Sequence, residues 1–205
     1  MKKTIICNVT MKEKTDHCVY KGSDHSLPTS DRAVIYPINA FLEKTLTAED
    51  EVTALLLVKK DPAGNYQKNA AAFVKELLLV NETVGAKIEF KTLESSFSEE
   101  QEVHEALLDR IVDELEDGTH ILADITYGPK DLPIVLFTAL SFAEKFLSCE
   151  IENLLYGQVN YKDGKPENPK LCDMVPLYYL NSLTHTVRAE ESGRARQMLK
   201  ALLSL

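Results

Sequence analysis

The chain is poor in several things. Cysteine occurs four times in 205 residues, at Cys7, Cys18, Cys149 and Cys172. These stand far apart with no CxxC pair, which weighs against a disulfide framework and against a structural metal site. Cys7 and Cys149 lie in or beside apolar strand-like runs and read as buried free thiols. No apolar run approaches the ~20 residues that a membrane span requires. The two lysines at the N-terminus precede an apolar run too short for a signal-peptide core. Basic residues are outnumbered, 23 against 32 acidic, for a net charge of −9. Such a surface repels long nucleic acid and anionic membrane, so a polyanionic partner must be met by a local site. Tryptophan is absent, and tyrosine supplies eight of the aromatic residues. What is present is an ordinary globular composition, 44% hydrophobic and 27% charged, which excludes disordered and fibrous classes. The length suits one sizeable domain, or one domain with a short appendage. The expectation is a soluble, reduced, cytoplasmic protein.

Strand and helix signals alternate. Residues 4–9 form a short β-rich run. Residues 11–31 lack periodicity and read as a long loop of the kind that often carries function. Ser30 and Asp31 offer N-caps for a helix through Leu46, and Pro37 moves its start toward Tyr36. Residues 52–58 are a continuous apolar strand, the pattern of a strand buried on both faces. A turn at residues 61–65 leads to a helix over 67–79, and residues 87–90 form a third, short strand. Ser98 with Gln101 forms a capping-box pattern before a helix over 99–115. Residues 120–125 are a fourth strand, 132–147 a helix with Pro133 in its first turn, and 151–159 a fifth strand. A polar segment over 160–169 and a mixed apolar run over 171–183 precede a C-terminal helix, 190–203. Arg194, Ala195, Met198, Leu199 and Leu202 make that helix amphipathic. Five βα units in series imply an α/β, Rossmann-like, doubly wound and mostly parallel sheet with helices on both faces.

In such a sheet, ligands bind beyond the carboxyl ends of the strands. The segment after the first strand has no GxGxxG, so a dinucleotide cofactor is not expected. No GxxxxGK[ST] and no GxSxG occur, and the histidines make no HxxxH or HExxH pair. Asp124 ends a strand but lacks a second aspartate two positions on, against a phosphatase nucleophile. No cofactor and no metal are expected.

The loop Asp124-Ile125-Thr126-Tyr127-Gly128-Pro129-Lys130-Asp131-Leu132-Pro133 is the informative one. A hydroxyl residue follows the strand, a glycine admits close backbone approach, and a lysine stands before a helix whose first-turn N–H groups are free. That combination is either an anion site or a βα turn with an exposed lysine.

This loop, together with the later Ile151-Glu152-Asn153-Leu154-Leu155-Tyr156-Gly157, resembles the CRISPR-associated Rossmann-fold (CARF) domain. The nearest pattern is the branch with an aspartate-x-threonine-histidine-glycine-x-arginine-x-leucine-proline loop and a later tyrosine-glycine. Tyr127 replaces the usual histidine, and Pro129-Lys130 replace an aromatic residue and arginine. The resemblance spans the chain from Lys3 to about Leu203. It implies a twofold dimer that senses a cyclic oligoadenylate, a ring of four or six adenylates made by type III CRISPR complexes in antiviral defence. Residues 1–188 would form the sensor domain. Residues 189–205 would form a helix for a dimer contact, or for a link to an effector that the sensor regulates. Long nucleic acid and membrane are not expected partners. The ring presents one negative charge per linkage, and a dimer axis presents each loop twice. In the run Gly128, Pro129, Lys130 and Asp131, phosphates would be held by the backbone N–H groups of the three non-proline residues and by the Lys130 ammonium. Asn8 and Thr10, with Val9 and Met11 beside them, would meet ribose or phosphate oxygens. Thr126 and Gly157 border the same place, and Tyr127 either stacks on an adenine or packs in the loop. Lys59 and Gln158 are further candidates, while Asp124 braces the loop. The alternative is a metal-independent ring nuclease, in which Thr10 positions the ribose 2′-hydroxyl and Lys130 stabilises charge on the phosphate.

Overall fold

The computed structural model describes residues 1–23, 26–186, 188 and 191–203. The most apolar stretches occupy the middle of one sheet. β1 (Lys2–Asn8) pairs in parallel with β3 (Glu51–Lys60) on one side and with β5 (His120–Asp124) on the other. All three are buried on both faces over most of their length, which is why they read as unbroken apolar runs rather than alternating ones. β4 (Lys87–Ser96) extends the sheet beyond β3, and β6 (Glu150–Lys162) extends it beyond β5, both in parallel. β7 (Lys165–Asp173) runs antiparallel to β6, and the two-residue β2 (Lys21–Gly22) closes that edge. The strand order is β2-β7-β6-β5-β1-β3-β4.

Side-chain alternation divides the core into two layers. Ile5, Cys7, Ala54, Leu56 and Val58 face α1 (Pro37–Thr45) and α2 (Asn65–Val84). Ile6, Leu55, Leu57, Ile121 and Ala123 face α3 (Gln101–Asp113) and α4 (Asp131–Phe146). The chain is therefore an α/β protein with a mostly parallel sheet and helices on both faces. α5 (Val175–Thr186) adds Tyr178 to the second layer, in edge contact with Phe137. α6 (Ser192–Leu202) buries none of its residues.

Several local expectations are corrected. α1 starts at Pro37, with Tyr36 at its N-cap, so Ser30 and Asp31 do not cap it; Ser30 Oγ instead accepts from Arg32 N–H at 3.3 Å. The Ser98–Gln101 capping box does not form: α3 has Glu100 at its N-cap, and Ser98 Oγ accepts from Glu100 N–H. α2 runs on to Gly85, whose φ of 80° ends it, while Asn81 clasps Ala86 through both side-chain atoms at 2.8 Å. β4 continues to Ser96, beyond the short strand expected. It is an edge strand, and ion pairs Lys60–Glu94 and Lys91–Glu114 keep its polar residues in place. The fifth strand is not followed by a helix. The polar segment over 160–169 is the turn and second arm of a hairpin, with Asp163 and Gly164 both at positive φ (51° and 74°). Residues 189, 190, 204 and 205, the two ends of the expected C-terminal segment, lie outside the described residues.

Candidate functional site

From β1 the chain winds outward through β3 and β4, then returns across α3 to β5 on the opposite side of β1. The loops after β1 and β5 thus diverge and leave a crevice, the place where open α/β sheets bind ligands. A cleft of about 500 Å³ lies there. Thr10, Met11 and Lys12 line it from the end of β1, and Tyr20 from the long loop. Thr126, Tyr127 and Gly128 line it from the β5–α4 loop, and Tyr156, Gly157, Val159 and Tyr161 from β6.

Its walls are held by buried polar groups. Asp124 Oδ1 accepts from Thr126 N–H at 2.8 Å and Oδ2 from Ile38 N–H at 3.2 Å, at the positive end of α1. Burial outweighs these bonds and pushes the Asp124 carboxyl up to about 6. Glu76 of α2 accepts from Ile35 N–H at 2.6 Å, Tyr36 N–H at 3.2 Å and Asn39 Nδ2 at 3.1 Å. Two carboxylates therefore occupy the amino end of α1. Asn69 Nδ2 donates to the Thr10 carbonyl at 2.7 Å and the Lys12 carbonyl at 2.9 Å, fixing the segment after β1.

The two stretches behind the CARF resemblance touch. Thr126 Oγ1 accepts from Gly157 N–H at 2.7 Å. Gly157 is required by space: a Cβ there would stand 2.6 Å from Pro37 Cγ and 3.0 Å from Tyr20 Cε1. Gly128 is required twice over, by its φ of 89° and by Leu132 Cδ1, which a Cβ would meet at 2.7 Å. Tyr127 packs edge-on against Tyr36, with ring centroids 5.5 Å apart, and its hydroxyl donates to the Ile35 carbonyl at 2.9 Å. Burial drives the Tyr20 and Tyr127 phenols well above their usual range. Tyr127 is thereby committed to packing along one edge. Tyr156 and Tyr161 are 40% and 52% exposed and present open ring surface at the cleft.

Of the residues expected at the site, Thr10, Met11, Thr126, Tyr127, Gly128 and Gly157 line the cleft. Thr10 is 1% exposed, and its Oγ1 accepts from Lys12 N–H at 3.2 Å. Pro129 and the exposed Lys130 follow Gly128, and the Pro129 carbonyl caps Leu132 N–H at 3.2 Å. Five expectations are revised. Val9 is buried and donates its N–H to the Leu57 carbonyl at 2.9 Å, extending the sheet. Asn8 is fully buried beneath Gly128, its side-chain amide without a hydrogen-bond partner. Lys59 is 1% exposed and does not reach the cleft; its ammonium lies 2.7 Å from the carboxylate of Asp131, which is likewise turned inward. Gln158 is exposed on β6 opposite Lys170 and lies outside the cleft lining.

Sequence reasoning missed Lys12, Tyr20, Tyr156, Val159 and Tyr161. The last two belong to the hairpin arm that was read as ending near 159, and Asp163-Gly164 was the signal that would have found it. A second depression, at the amino ends of β1, β3 and β4, is lined by charges that pair with one another or their neighbours, such as Lys2 with Glu116 at 2.7 Å and Lys87 with Glu51 at 3.4 Å. No helix among the described residues is long and apolar enough to cross a membrane. No protein-family model and no curated protein matches the chain.

Proposed function

We propose that the cleft at the β1–β5 switch point binds a cyclic oligoadenylate, and that the chain acts as a dimeric sensor in type III CRISPR signalling. The observation that carries this reading is the Thr126–Gly157 hydrogen bond, which joins the two sequence stretches that resemble the CARF pattern along one wall of the cleft. The chemistry of the lining suits the ligand. Lys12 in the lining supplies charge for phosphates, the exposed Lys130 stands two residues beyond the lining Gly128, and Gly128 exposes backbone. Tyr156 and Tyr161 offer faces on which adenine stacks. The acidic surface elsewhere disfavours long nucleic acid but leaves a small local anion site intact.

A ring with rotational symmetry is best held by two copies of the cleft. Ile134 and Phe146 of α4 are 70% and 69% exposed, and Leu177 and Leu183 of α5 are 50% and 41% exposed. This apolar surface supports self-association through the α4–α5 side. Among the described residues the cleft lining holds no histidine and no carboxylate to take a 2′-hydroxyl proton, and we read the site as a sensor first. Calorimetry with cyclic tetra-adenylate and cyclic hexa-adenylate tests the proposal. Saturable heat with one ring supports it, and no heat with either removes it.

A further inference from the structure

We propose that Glu99, His104 and Asp131 form a binding site for one divalent transition-metal ion of zinc-like chemistry, on the α3–α4 side of the sheet and apart from the cleft. Glu99 precedes α3, His104 lies near its start, and Asp131 opens α4. His104 Nε2 lies 3.5 Å from Glu99 Oε2 and 3.2 Å from Asp131 Oδ2, and one ligand atom from each residue lies within 4.8 Å of the others. Ligands bound tetrahedrally at about 2.0–2.2 Å stand roughly 3.3–3.6 Å from one another, so an ion fits between these atoms with small side-chain adjustments. One imidazole and two carboxylates form a zinc-type ligand set with a fourth position left for water.

A second observation points to a ligand. The Asp131 side chain is 8% exposed, and its Oδ1 has no hydrogen-bond partner, while Oδ2 meets the Lys59 ammonium at 2.7 Å and faces His104 Nε2 at 3.2 Å. A buried carboxylate oxygen without a partner is costly, and Oδ1 beside an imidazole and a second carboxylate suits a further cation. Lys59 does not fill that role by itself. Its ammonium contacts Oδ2 at 2.7 Å and leaves Oδ1 unmatched, the position of an outer-shell group that orients a ligating carboxylate. With neutral imidazole, the two carboxylates and one ammonium sum to one negative charge, which attracts a divalent ion. Asp131 directly follows Lys130, so a bound ion fixes the end of the loop that borders the cleft through Gly128.

The test titrates chelator-treated, tag-free protein with Co²⁺, whose visible absorption reports four-coordination, and with Zn²⁺ by calorimetry. One ion per chain is expected. His104→Ala and Glu99→Ala each lower the affinity by at least ~100-fold, more than loss of an outer-shell partner costs, whereas Cys172→Ser leaves it unchanged. Substituting Asp131 endangers the fold. His104 and Glu99 are 27% and 64% exposed, so their variants retain it, as circular dichroism would verify. Stoichiometric binding that persists in His104→Ala overturns the proposal, as does the absence of Co²⁺ absorption with wild-type protein at millimolar ion.

Discussion

The ammonium of Lys59 lies 2.7 Å from the carboxylate of Asp131, with the two side chains 1% and 8% exposed. The pair joins the carboxyl end of β3 to the first residue of α4, and so anchors the loop that borders the cleft. Removing one partner leaves the other as a buried, uncompensated charge. Asp131→Asn is expected to lower stability by ~3–5 kcal/mol, and a Lys59→Met, Asp131→Leu double variant to recover most of the loss. Urea unfolding of the three proteins measures this. Equal losses in the single and double variants would show that the pair is not coupled.

Gly157→Ala places a methyl group 2.6 Å from Pro37 Cγ and 3.0 Å from Tyr20 Cε1. Overpacking of this kind costs ~1–3 kcal/mol. It also pushes β6 away from Tyr20, so the variant is expected to lose both thermal stability and ligand affinity. Gly164→Ala, which meets no atom within 4 Å, is expected to leave ligand affinity unchanged. Thermal melts and calorimetry on both variants test the contrast.

Asp124 gives a pH dependence of defined sign. Its folded-state value of about 6 lies above the ~3.9 of an unfolded aspartate, so the folded chain holds a proton that the unfolded chain releases. Its contribution to stability is greatest below about pH 4, declines as the pH rises to about 6, and is constant above that, a total on the order of 3 kcal/mol. Carboxylates with lowered values, such as Asp50 and Glu43, act in the opposite direction. The difference between wild type and Asp124→Asn isolates the effect. A wild-type-minus-variant stability that does not fall between pH 4 and 6 would contradict the assignment.

Lys130→Ala and Lys12→Ala are each expected to weaken cyclic oligoadenylate binding by ~10–100-fold, the loss of a charge-assisted contact worth about 1.5–3 kcal/mol. Lys87→Ala, at the opposite ends of the strands, is the control and is expected to bind as wild type. Affinity unchanged in both lysine variants would place the phosphates elsewhere.

Much of the architecture was legible because double-sided burial leaves a plain trace. β1, β3 and β5 are unbroken apolar runs, and such strands occur in parallel sheets with covered faces. The edges were harder. The polar sequence of β7 resembles a loop, since an edge strand at a hairpin needs no continuous apolar run, and only Asp163-Gly164 marks its turn. The Ser98–Gln101 pattern failed because capping depends on backbone geometry at the helix start, and α3 begins one residue after Glu100. At the site, position along a strand foretold which loops converge but not which way each side chain turns. Lys59 and Asp131 reside at strand and helix ends suited to a ligand, yet each is the other's partner. Tyr161 arrives from a strand whose length the sequence concealed, and Asp16 receives its hydroxyl at 3.0 Å.

The most direct measurement combines stoichiometry with mass: titration of the protein with cyclic tetra-adenylate and cyclic hexa-adenylate, paired with sedimentation in the presence and absence of ring. The account predicts a dimer that takes up one ring per two chains, with binding weakened in Lys130→Ala. A monomer, or a dimer that gives no heat with either ring, would contradict it.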